Sequence, residues 1–312
     1  SQFVLLMSER WGWRSVFFVA LLSVPYMFVI QKYLRETGAF LKARAATARG
    51  HSAGGQGRFL ELFAPGMARR SIILFLGLLA LWQLASTSLG IREYILPSPA
   101  VVARALTSGE IPWAAHAGTT ALEIVGAFLL AGVAGVALGV AIAWSPLLAG
   151  ALVPFLVFVN TLPKGAVAPL FLLWLGYGIF PNMLIGALIG FFPVVINTAV
   201  GLTQVDPEML DLGRVFNAPK WKVFAKIRIP NAYPYILSAL KVTATAAVVG
   251  VIVGEFVASQ RGLGYVIITS QGSMNTPVAF AALFWISVVG LAVYGAVVLA
   301  ARWIAPWAET AD

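Results

Sequence analysis

Cysteine is absent from the 312 residues, and histidine occurs only twice, as His51 and His116. Without cysteine the chain can form neither a disulfide nor a thiolate-ligated metal site. Two histidines are also too few for a metal centre built from imidazole groups. The sequence therefore predicts no metal site in this chain.

Charged residues are scarce as well. They make up 11% of the chain, hydrophobic residues make up 60%, and the mean hydropathy is +0.89. Since a soluble domain carries roughly 25% charged residues, we predict an integral membrane protein. A net charge of +9 would suggest nucleic acid as the partner of a soluble protein. In a membrane protein, basic residues instead hold short loops in the cytoplasm, so we expect no nucleic-acid partner.

Motifs that would make the chain an energy-converting enzyme are also missing. It contains no G-x-x-x-x-G-K-[ST] for cradling phosphates and no H-E-x-x-H for zinc. The glycine-rich residues 50–57 lack the lysine and a following helix, so they are interpreted as a flexible linker. We therefore expect no catalytic residues, and any energy must come from a gradient or another subunit.

Six apolar windows are long enough to cross a bilayer, whose core of roughly 30 Å needs about 20 helical residues. The third contains Pro154, Pro163 and Pro169, so we expect a broken or kinked element there. The sequence allows two interpretations of this element: an ordinary proline kink, or a discontinuity that lines a pathway. Residues 16–30 form a marginal seventh window. The six windows are residues 71–86, 119–144, 147–177, 179–202, 235–258 and 278–304.

The distribution of basic residues predicts the orientation. Residues 32–70 carry eight Lys and Arg, residues 205–241 carry six, and residues 87–118 carry only two. Three windows separate the last segment from residues 205–241, so these two segments should lie on opposite sides of the membrane. The positive-inside rule then puts both basic segments in the cytoplasm.

Small residues recur in G-x-x-x-G spacing inside the windows. Lipid provides little hydrophobic drive between helices, so glycines that let two backbones approach supply the packing. We expect these pairs to pack helices within one chain, with a seam between two copies as the alternative. The pairs are Gly135/Gly139, Gly186/Gly190 and Gly250/Gly254.

Five polar residues lie inside or beside the apolar windows. A charge at the bilayer centre costs roughly 2.5–3.5 kcal/mol, so such residues usually face a cavity or a partner. Glu123 and Lys164 could instead lie near an interface and snorkel. Asn160 and Asn197 could form interhelical hydrogen bonds or line a pathway. Glu255 precedes a glycine-rich turn, where an outer vestibule could lie.

A polar segment, residues 205–230, interrupts the apolar pattern. Asp206 and Pro207 form a good helix start, since an N-cap oxygen is followed by proline at the first helical position. This helix should stop at Asn217, because asparagine tolerates positive φ. A second short helix should start at Pro219. The two helices would share an apolar, lysine-ringed surface of the kind that docks a partner, formed by Met209, Leu212, Val215, Phe216, Trp221 and Phe224.

This segment resembles the cytoplasmic coupling loop of binding-protein-dependent ATP-binding-cassette (ABC) importer permeases. Their pattern is E-A-A, three residues, G, nine residues and I-x-L-P. It corresponds here to Asp211-Leu212-Gly213, then Asn217, then Ile227-Arg228-Ile229-Pro230. The spacing matches, while several residue types differ. The resemblance implies ATPase-coupling roles for Asp211, Gly213, Phe216, Asn217, Pro219, Lys220, Trp221, Lys222, Phe224, Ile227 and Pro230.

Other segments resemble the nitrate/sulfonate/taurine-type permeases, and together they cover about residues 69–304. The resemblance implies a type I importer permease core of about six transmembrane helices in the inner membrane. It places Glu255 near the extracytoplasmic end of the translocation pathway, residues 162–169 with Lys164 in the gated region, and Glu123 where many relatives carry a basic residue. Asn160 and Asn197, as polar residues in apolar windows, are the further candidates for the pathway or its gate. The matching segments are residues 96–106, 160–178, 191–208 and 254–267.

The family also implies an assembly. It consists of two permeases, here a homodimer, two ATPase subunits that bind ATP and Mg²⁺, and an extracytoplasmic solute-binding protein. No cofactor is expected in this chain itself. A small solute is the implied substrate, and nitrate, sulfonates and pyrimidines fit the polar residues equally well.

The N-terminus does not follow the permease pattern. Residues 10–40 resemble a mid-chain segment of major-facilitator transporters, and an uncleaved signal-anchor is an alternative. We expect an extra membrane segment at 1–35, a basic cytoplasmic linker at 36–68, the permease domain at 69–304 with its coupling loop at 205–230, and a tail at 305–312. The alternative functions are a secondary transporter, which does not need the basic loop, and a membrane scaffold, which would not need polar residues along one lining face.

Overall fold

The computed structural model describes residues 67–304, apart from residues 89 and 91. The extra membrane segment predicted at 1–35, the tail at 305–312 and nearly all of the linker at 36–68 lie outside the described residues.

Every regular element in the described part of the chain is helical. The elements are α1 (Met67–Ser88), α2 (Pro99–Thr107), α3 (Trp113–Trp144), α4 (Pro146–Thr161), α5 (Lys164–Leu175), α6 (Ile179–Thr203), α7 (Pro207–Val215), α8 (Lys220–Val223), a π-helical turn (Phe224–Arg228), α9 (Ile229–Ala258), α10 (Leu263–Gly272) and α11 (Thr276–Ile304).

The predicted all-helical membrane architecture is confirmed: five of the six windows each lie within one helix, and the third covers α4, the break after it and α5. Among the described residues, four continuous helices are long and apolar enough to cross a membrane: α3, α6, α11 and the run Lys220–Val257. The bent pair α4–α5 adds a fifth if it forms one span. Helix α1 has 22 residues, and its apolar part, Ile72–Ser88, is shorter than the four spanning helices.

The third window is broken, as its prolines predict. Helices α4 and α5 meet at an angle of 97°. Leu162, at the end of α4, is extended with φ −65° and ψ 138°, because a residue before proline avoids the α conformation. Pro163 follows and precedes the first residue of α5. The apolar stretch therefore changes direction at Leu162 and Pro163.

Helix α6 lies at the centre, packed between α3 and α9. A Cβ atom placed at Gly139 would lie 2.5 Å from Cβ of Thr198 on α6, and one at Gly250 would lie 2.6 Å from Cα of Gly186. Such distances leave no room for a side chain. All three G-x-x-x-G pairs contact helices of this chain, so the prediction that they pack within one chain is confirmed.

A second core joins the shorter helices to α11. Val102 of α2, Leu263 of α10 and Ala282 of α11 are buried together. Trp82 of α1 packs on Phe280 with ring centroids 5.8 Å apart. Much of the described part of α1 is exposed, with eight apolar side chains between residues 72 and 84 more than half accessible. Such a surface suits contact with lipid hydrocarbon.

The glycine contacts yield a stability prediction. We expect Gly250→Ala to destabilise the chain by about 1–3 kcal/mol, because the new methyl group would overlap the backbone of α6. The measurement is the thermal unfolding midpoint in detergent. Gly295→Ala on α11 is the control, since a Cβ atom there meets nothing within 4 Å. Equal midpoints for the two variants would contradict the packing described for α6 and α9.

Candidate functional site

The polar segment at residues 205–230 begins as the sequence predicts. Asp206 adopts φ −52° and ψ 126°, and its Oδ1 accepts a hydrogen bond from the Glu208 amide at 3.0 Å. Pro207 is the first residue of α7, where its missing N–H costs nothing. Helix α7 is therefore capped by its own sequence.

The end of α7 also follows its sequence. Asn217 has a φ of +47°, one of two such non-glycine residues in the described chain. The Ala218 amide donates to the Gly213 carbonyl at 2.9 Å, and the Asn217 amide donates to the Arg214 carbonyl at 2.9 Å. These two bonds form a Schellman motif, which satisfies the last carbonyls of the helix. The predicted stop at Asn217 is confirmed.

The predicted second short helix is not a separate element. It begins at Lys220, one residue after the predicted start at Pro219, and continues through the π-helical turn into α9, so one helical run extends from Lys220 to Val257. Within the turn, the Ile229 amide donates to the Phe224 carbonyl five residues earlier. Pro230 explains this widening, because in α geometry its ring would press on the carbonyl four residues before it. Residues 220–230 are therefore the first turns of a helix that is long and apolar enough to cross a membrane.

An apolar surface on this segment is open to solvent. Val215 is 77% exposed, Phe216 75% and Trp221 60%, and Met209 and Leu212 are about half exposed. Lys220, Lys222 and Lys226 are exposed around it, and the Lys222 ammonium lies 5.6 Å from the Trp221 ring centroid. We call these eight residues the docking surface.

Three contacts hold residues 205–230 together and against α3. Gly213 is buried where a Cβ atom would lie 3.2 Å from Cγ2 of Val223 and 3.7 Å from Cδ1 of Ile227. Phe224 packs edge-on against Trp144, at the end of α3, with ring centroids 5.0 Å apart. The docking surface is therefore held on packed helices.

A fourth contact was not predicted from the sequence. The side-chain amide of Asn231 donates to the carbonyls of Gly201 and Gln204, at 2.8 and 2.9 Å. It satisfies two carbonyls at the end of α6. Asp211, by contrast, forms an exposed ion pair with Arg214 at 2.6 Å, which contributes little to stability.

Two of the predicted pathway residues lie together at the bend between α4 and α5. The Lys164 ammonium donates to Oδ1 of Asn160 at 2.6 Å, and both side chains are partly exposed. An ammonium has three donors, so two remain for another group. The break thus presents one cation and one amide side by side.

The other two predicted pathway residues lie elsewhere. Asn197 donates to the Pro193 carbonyl one turn earlier on α6, at 2.8 Å. Glu255 lies near the end of α9 and is 1% exposed. It lies near Asn182 of α6. Asn182 is fifteen residues before Asn197, which corresponds to about 22 Å along the helix. The structure therefore does not bring Asn197 and Glu255 together.

Glu255 belongs to a buried polar cluster. Its Oε1 accepts from the Thr120 hydroxyl at 2.7 Å, and its Oε2 accepts from the Gly264 amide at 2.5 Å. Thr120 in turn accepts from the Leu263 amide at 2.8 Å. These bonds join α3, α9 and the start of α10.

Glu123 lies in the same cluster and is also 1% exposed. The Asn182 side-chain amide donates to its Oε1 at 3.0 Å and to the Ser259 hydroxyl at 2.7 Å. Burial on this scale excludes snorkelling of Glu123 to an interface. Thr120 and Asn182 were missed in the sequence, because Thr120 is one of several small polar residues at a helix start and Asn182 follows Pro181 at a span boundary.

Comparisons with known proteins agree on one family. Residues 133–309 match the family model described as binding-protein-dependent transport system inner membrane component. A probable ABC transporter permease protein of Haemophilus influenzae is 35% identical over 218 residues, covering 70% of this chain and 89% of the relative.

The names of two further relatives include a solute. The riboflavin transport system permease protein RibX of Chloroflexus aurantiacus is 35% identical over 74% of this chain and 87% of its own. The formylaminopyrimidine transport permease protein ThiX of Halalkalibacterium halodurans is 30% identical over 75% of this chain and 94% of its own.

The positive φ at Asn217 can be tested by substitution. Valine at this position should cost about 1–2 kcal/mol, because a Cβ-branched residue resists the left-handed conformation, whereas glycine should be tolerated. We expect Asn217→Val to raise the rate of limited proteolysis within residues 205–230 about five- to thirty-fold. Cleavage of the valine variant at the rate of Asn217→Gly would contradict the turn geometry.

Proposed function

The chain belongs to the family of binding-protein-dependent transport system inner membrane components, and from this premise we propose that residues 205–230 couple it to a separate ATPase. It is the permease subunit of an ABC importer, a multi-pass protein of the inner membrane. Family membership leaves the secondary-transporter and scaffold alternatives without support. The solute proposed for this chain is a small molecule delivered by a binding protein.

The observation that carries the proposal is the docking surface. Phe216 and Val215 expose three quarters of their area in a segment rich in lysine. In water such a surface is unfavourable unless a partner covers it. An apolar patch within a basic rim fits a groove that is apolar at its base and acidic at its edge. We assign that groove to the ATPase subunit, which would hold ATP and Mg²⁺.

The shape of the segment supports a mechanism for transmitting force. Lys220 begins a helical run that continues without a break to Val257. A displacement of the docking surface would therefore move α9 directly, and Phe224 and Asn231 would carry it to α3 and α6. When two ATPase subunits close on ATP, two docked permeases would rotate, and the cavity between them would open outward.

A second permease copy completes this proposal. One chain offers one docking surface, and alternating access needs two halves that move against each other. We propose a homodimer, in which each copy docks one ATPase and both copies face one extracytoplasmic binding protein. Purifying the chain with its native partners would identify that binding protein, and with it the solute.

For the translocation pathway, we propose that Asn160 and Lys164 face the solute at the bend. Their partial exposure and the spare ammonium donors support this role. Asn197, which is half-buried on α6, is a further candidate. Glu255 would support the wall of the pathway near its outer end, since its burial and its bonds to α3 and α10 leave it no direct access.

Reversing the charge of the docking surface should uncouple the transporter. In the triple variant Lys220→Glu, Lys222→Glu, Lys226→Glu, we expect binding-protein-stimulated ATP hydrolysis to fall at least tenfold, because like charges would face the acidic rim proposed for the ATPase. The measurement is ATPase activity of the reconstituted assembly, with membrane insertion checked by fractionation.

The matched control replaces the same three lysines with arginine, which keeps the charge. We expect this variant to retain most of the stimulated activity. Normal stimulation in the glutamate variant would refute the assignment of residues 205–230 to ATPase coupling.

The pathway proposal can be tested with single cysteines, since the chain has none of its own. We expect Asn160→Cys and Lys164→Cys to react with a membrane-impermeant thiol reagent at rates that change at least severalfold when the ATPase binds nucleotide. Leu156→Cys on α4, the helix that carries Asn160, is the control, because Leu156 is 3% exposed. Equal labelling of all three variants would exclude a pathway at this bend.

A further inference from the structure

Two acidic side chains from different helices meet in the interior of the bundle. Glu123 of α3 and Glu255 of α9 are each 1% exposed, and the two carboxyl groups neighbour each other. Their hydrogen-bond partners in the described chain are neutral: the Asn182 side-chain amide, the Thr120 hydroxyl and the Gly264 backbone amide. No described ion pair includes either carboxyl group. Two ionised carboxylates in one low-dielectric pocket would repel each other.

The hydrogen bonds distinguish the two members of the pair. Each oxygen of Glu255 accepts a bond, one from Thr120 and one from the backbone of Gly264. Accepting donors on both oxygens is the pattern of a carboxylate. Gly262 and Gly264 allow this approach, because a Cβ atom at either position would overlap the Glu255 carboxyl group.

Glu123 has the complementary pattern. Its Oε1 accepts from Asn182, but its Oε2 is buried and has no donor among the described residues. A carboxylate oxygen without a donor in the interior is costly. A protonated oxygen needs an acceptor instead, and the neighbouring Glu255 carboxylate provides one.

The other ionisable groups around the pair lie on its solvent side. His116 of α3 uses Nδ1 to accept from the Gly262 amide at 3.2 Å, and its ring stacks on Tyr265 of α10. Arg261, in the turn between α9 and α10, is exposed. His116 and Arg261 line an open cleft of about 430 Å³, together with Pro112, Ala115 and Thr119. Thr120, which bonds to Glu255, directly follows the cleft residue Thr119 in the chain.

From these contacts we propose that Glu123 and Glu255 share one bound proton, and that this acid pair fastens the turn between α9 and α10 to α3. The site takes a proton as its ligand, with Glu123 as the donor and Glu255 as the acceptor. It does not depend on the coupling role of residues 205–230. Loss of the proton would leave two buried negative charges and would push α3 and α9 apart at this end.

A shared proton determines the direction in which folding stability changes with pH. In the unfolded chain both carboxyl groups face water and are ionised above mildly acidic pH, whereas the folded pair keeps one proton. The folded state then binds more protons, so stability falls as pH rises, with a limit of about tenfold in the unfolding equilibrium per pH unit.

The test is the thermal unfolding midpoint of the full chain in detergent, from mildly acidic to mildly alkaline buffer. We expect the wild-type midpoint to fall with rising pH. Glu123→Gln should flatten this slope and exceed the wild type at alkaline pH, because a glutamine amide can donate to Glu255 without titrating. Glu110→Gln is the control, since Glu110 is exposed, and it should keep the wild-type slope. A wild-type slope in Glu123→Gln would overturn the proposal.

A second measurement uses only the wild-type protein, so it remains informative even if Glu123→Gln fails to fold. At mildly alkaline pH the exposed carboxyl groups are ionised, so a shared proton should give an infrared carbonyl stretch of a protonated carboxylic acid that shifts in heavy water. Absence of that band would overturn the proposal.

Discussion

Hydrocarbon offers a membrane-embedded chain neither hydrogen bonds nor a hydrophobic drive between helices, and most features of this structure are responses to that constraint. Helices α3, α6 and α9 approach through glycine, closely enough that Gly250 lies against the backbone of Gly186. Several polar groups inside the bundle find partners within the protein. The Thr243 hydroxyl, for example, donates to the Gly190 carbonyl on α6 at 2.9 Å. Close backbone packing and such hydrogen bonds hold α3, α6 and α9 together.

The same constraint explains why residues 205–230 lie outside the bundle. Their lysines and acidic residues cannot enter lipid without partners, and under the coupling proposed above an ATPase subunit would cover the apolar side chains. What makes the segment useful is its continuity with α9. The π-helical turn accommodates Pro230 without ending the helix, so a force applied at Trp221 would reach the membrane interior through a single helix.

Local signals in the sequence were enough to predict much of this. Asp206 and Asn217 predicted where α7 begins and ends, the windows predicted the spans, and the prolines predicted the break at Pro163, because each of these depends on near neighbours in the chain. The continuity of α8 with α9 has no such local signal, because proline usually marks a helix boundary and a π-helical turn has no distinct sequence pattern. The cluster around Glu255 was out of reach for another reason. Its partners come from α3 and α6, and only the three-dimensional packing brings them together.

The most direct test of the account is a photo-crosslinking measurement on the assembled transporter. A photoreactive residue at position 215, where valine is 77% exposed on the docking surface, would be compared with one at position 133, where valine is 72% exposed on α3. If residues 205–230 couple the permease to its motor, position 215 will crosslink to the ATPase subunit and position 133 will crosslink to lipid. An adduct from position 215 with the extracytoplasmic binding protein, or with lipid alone, would contradict the coupling assignment.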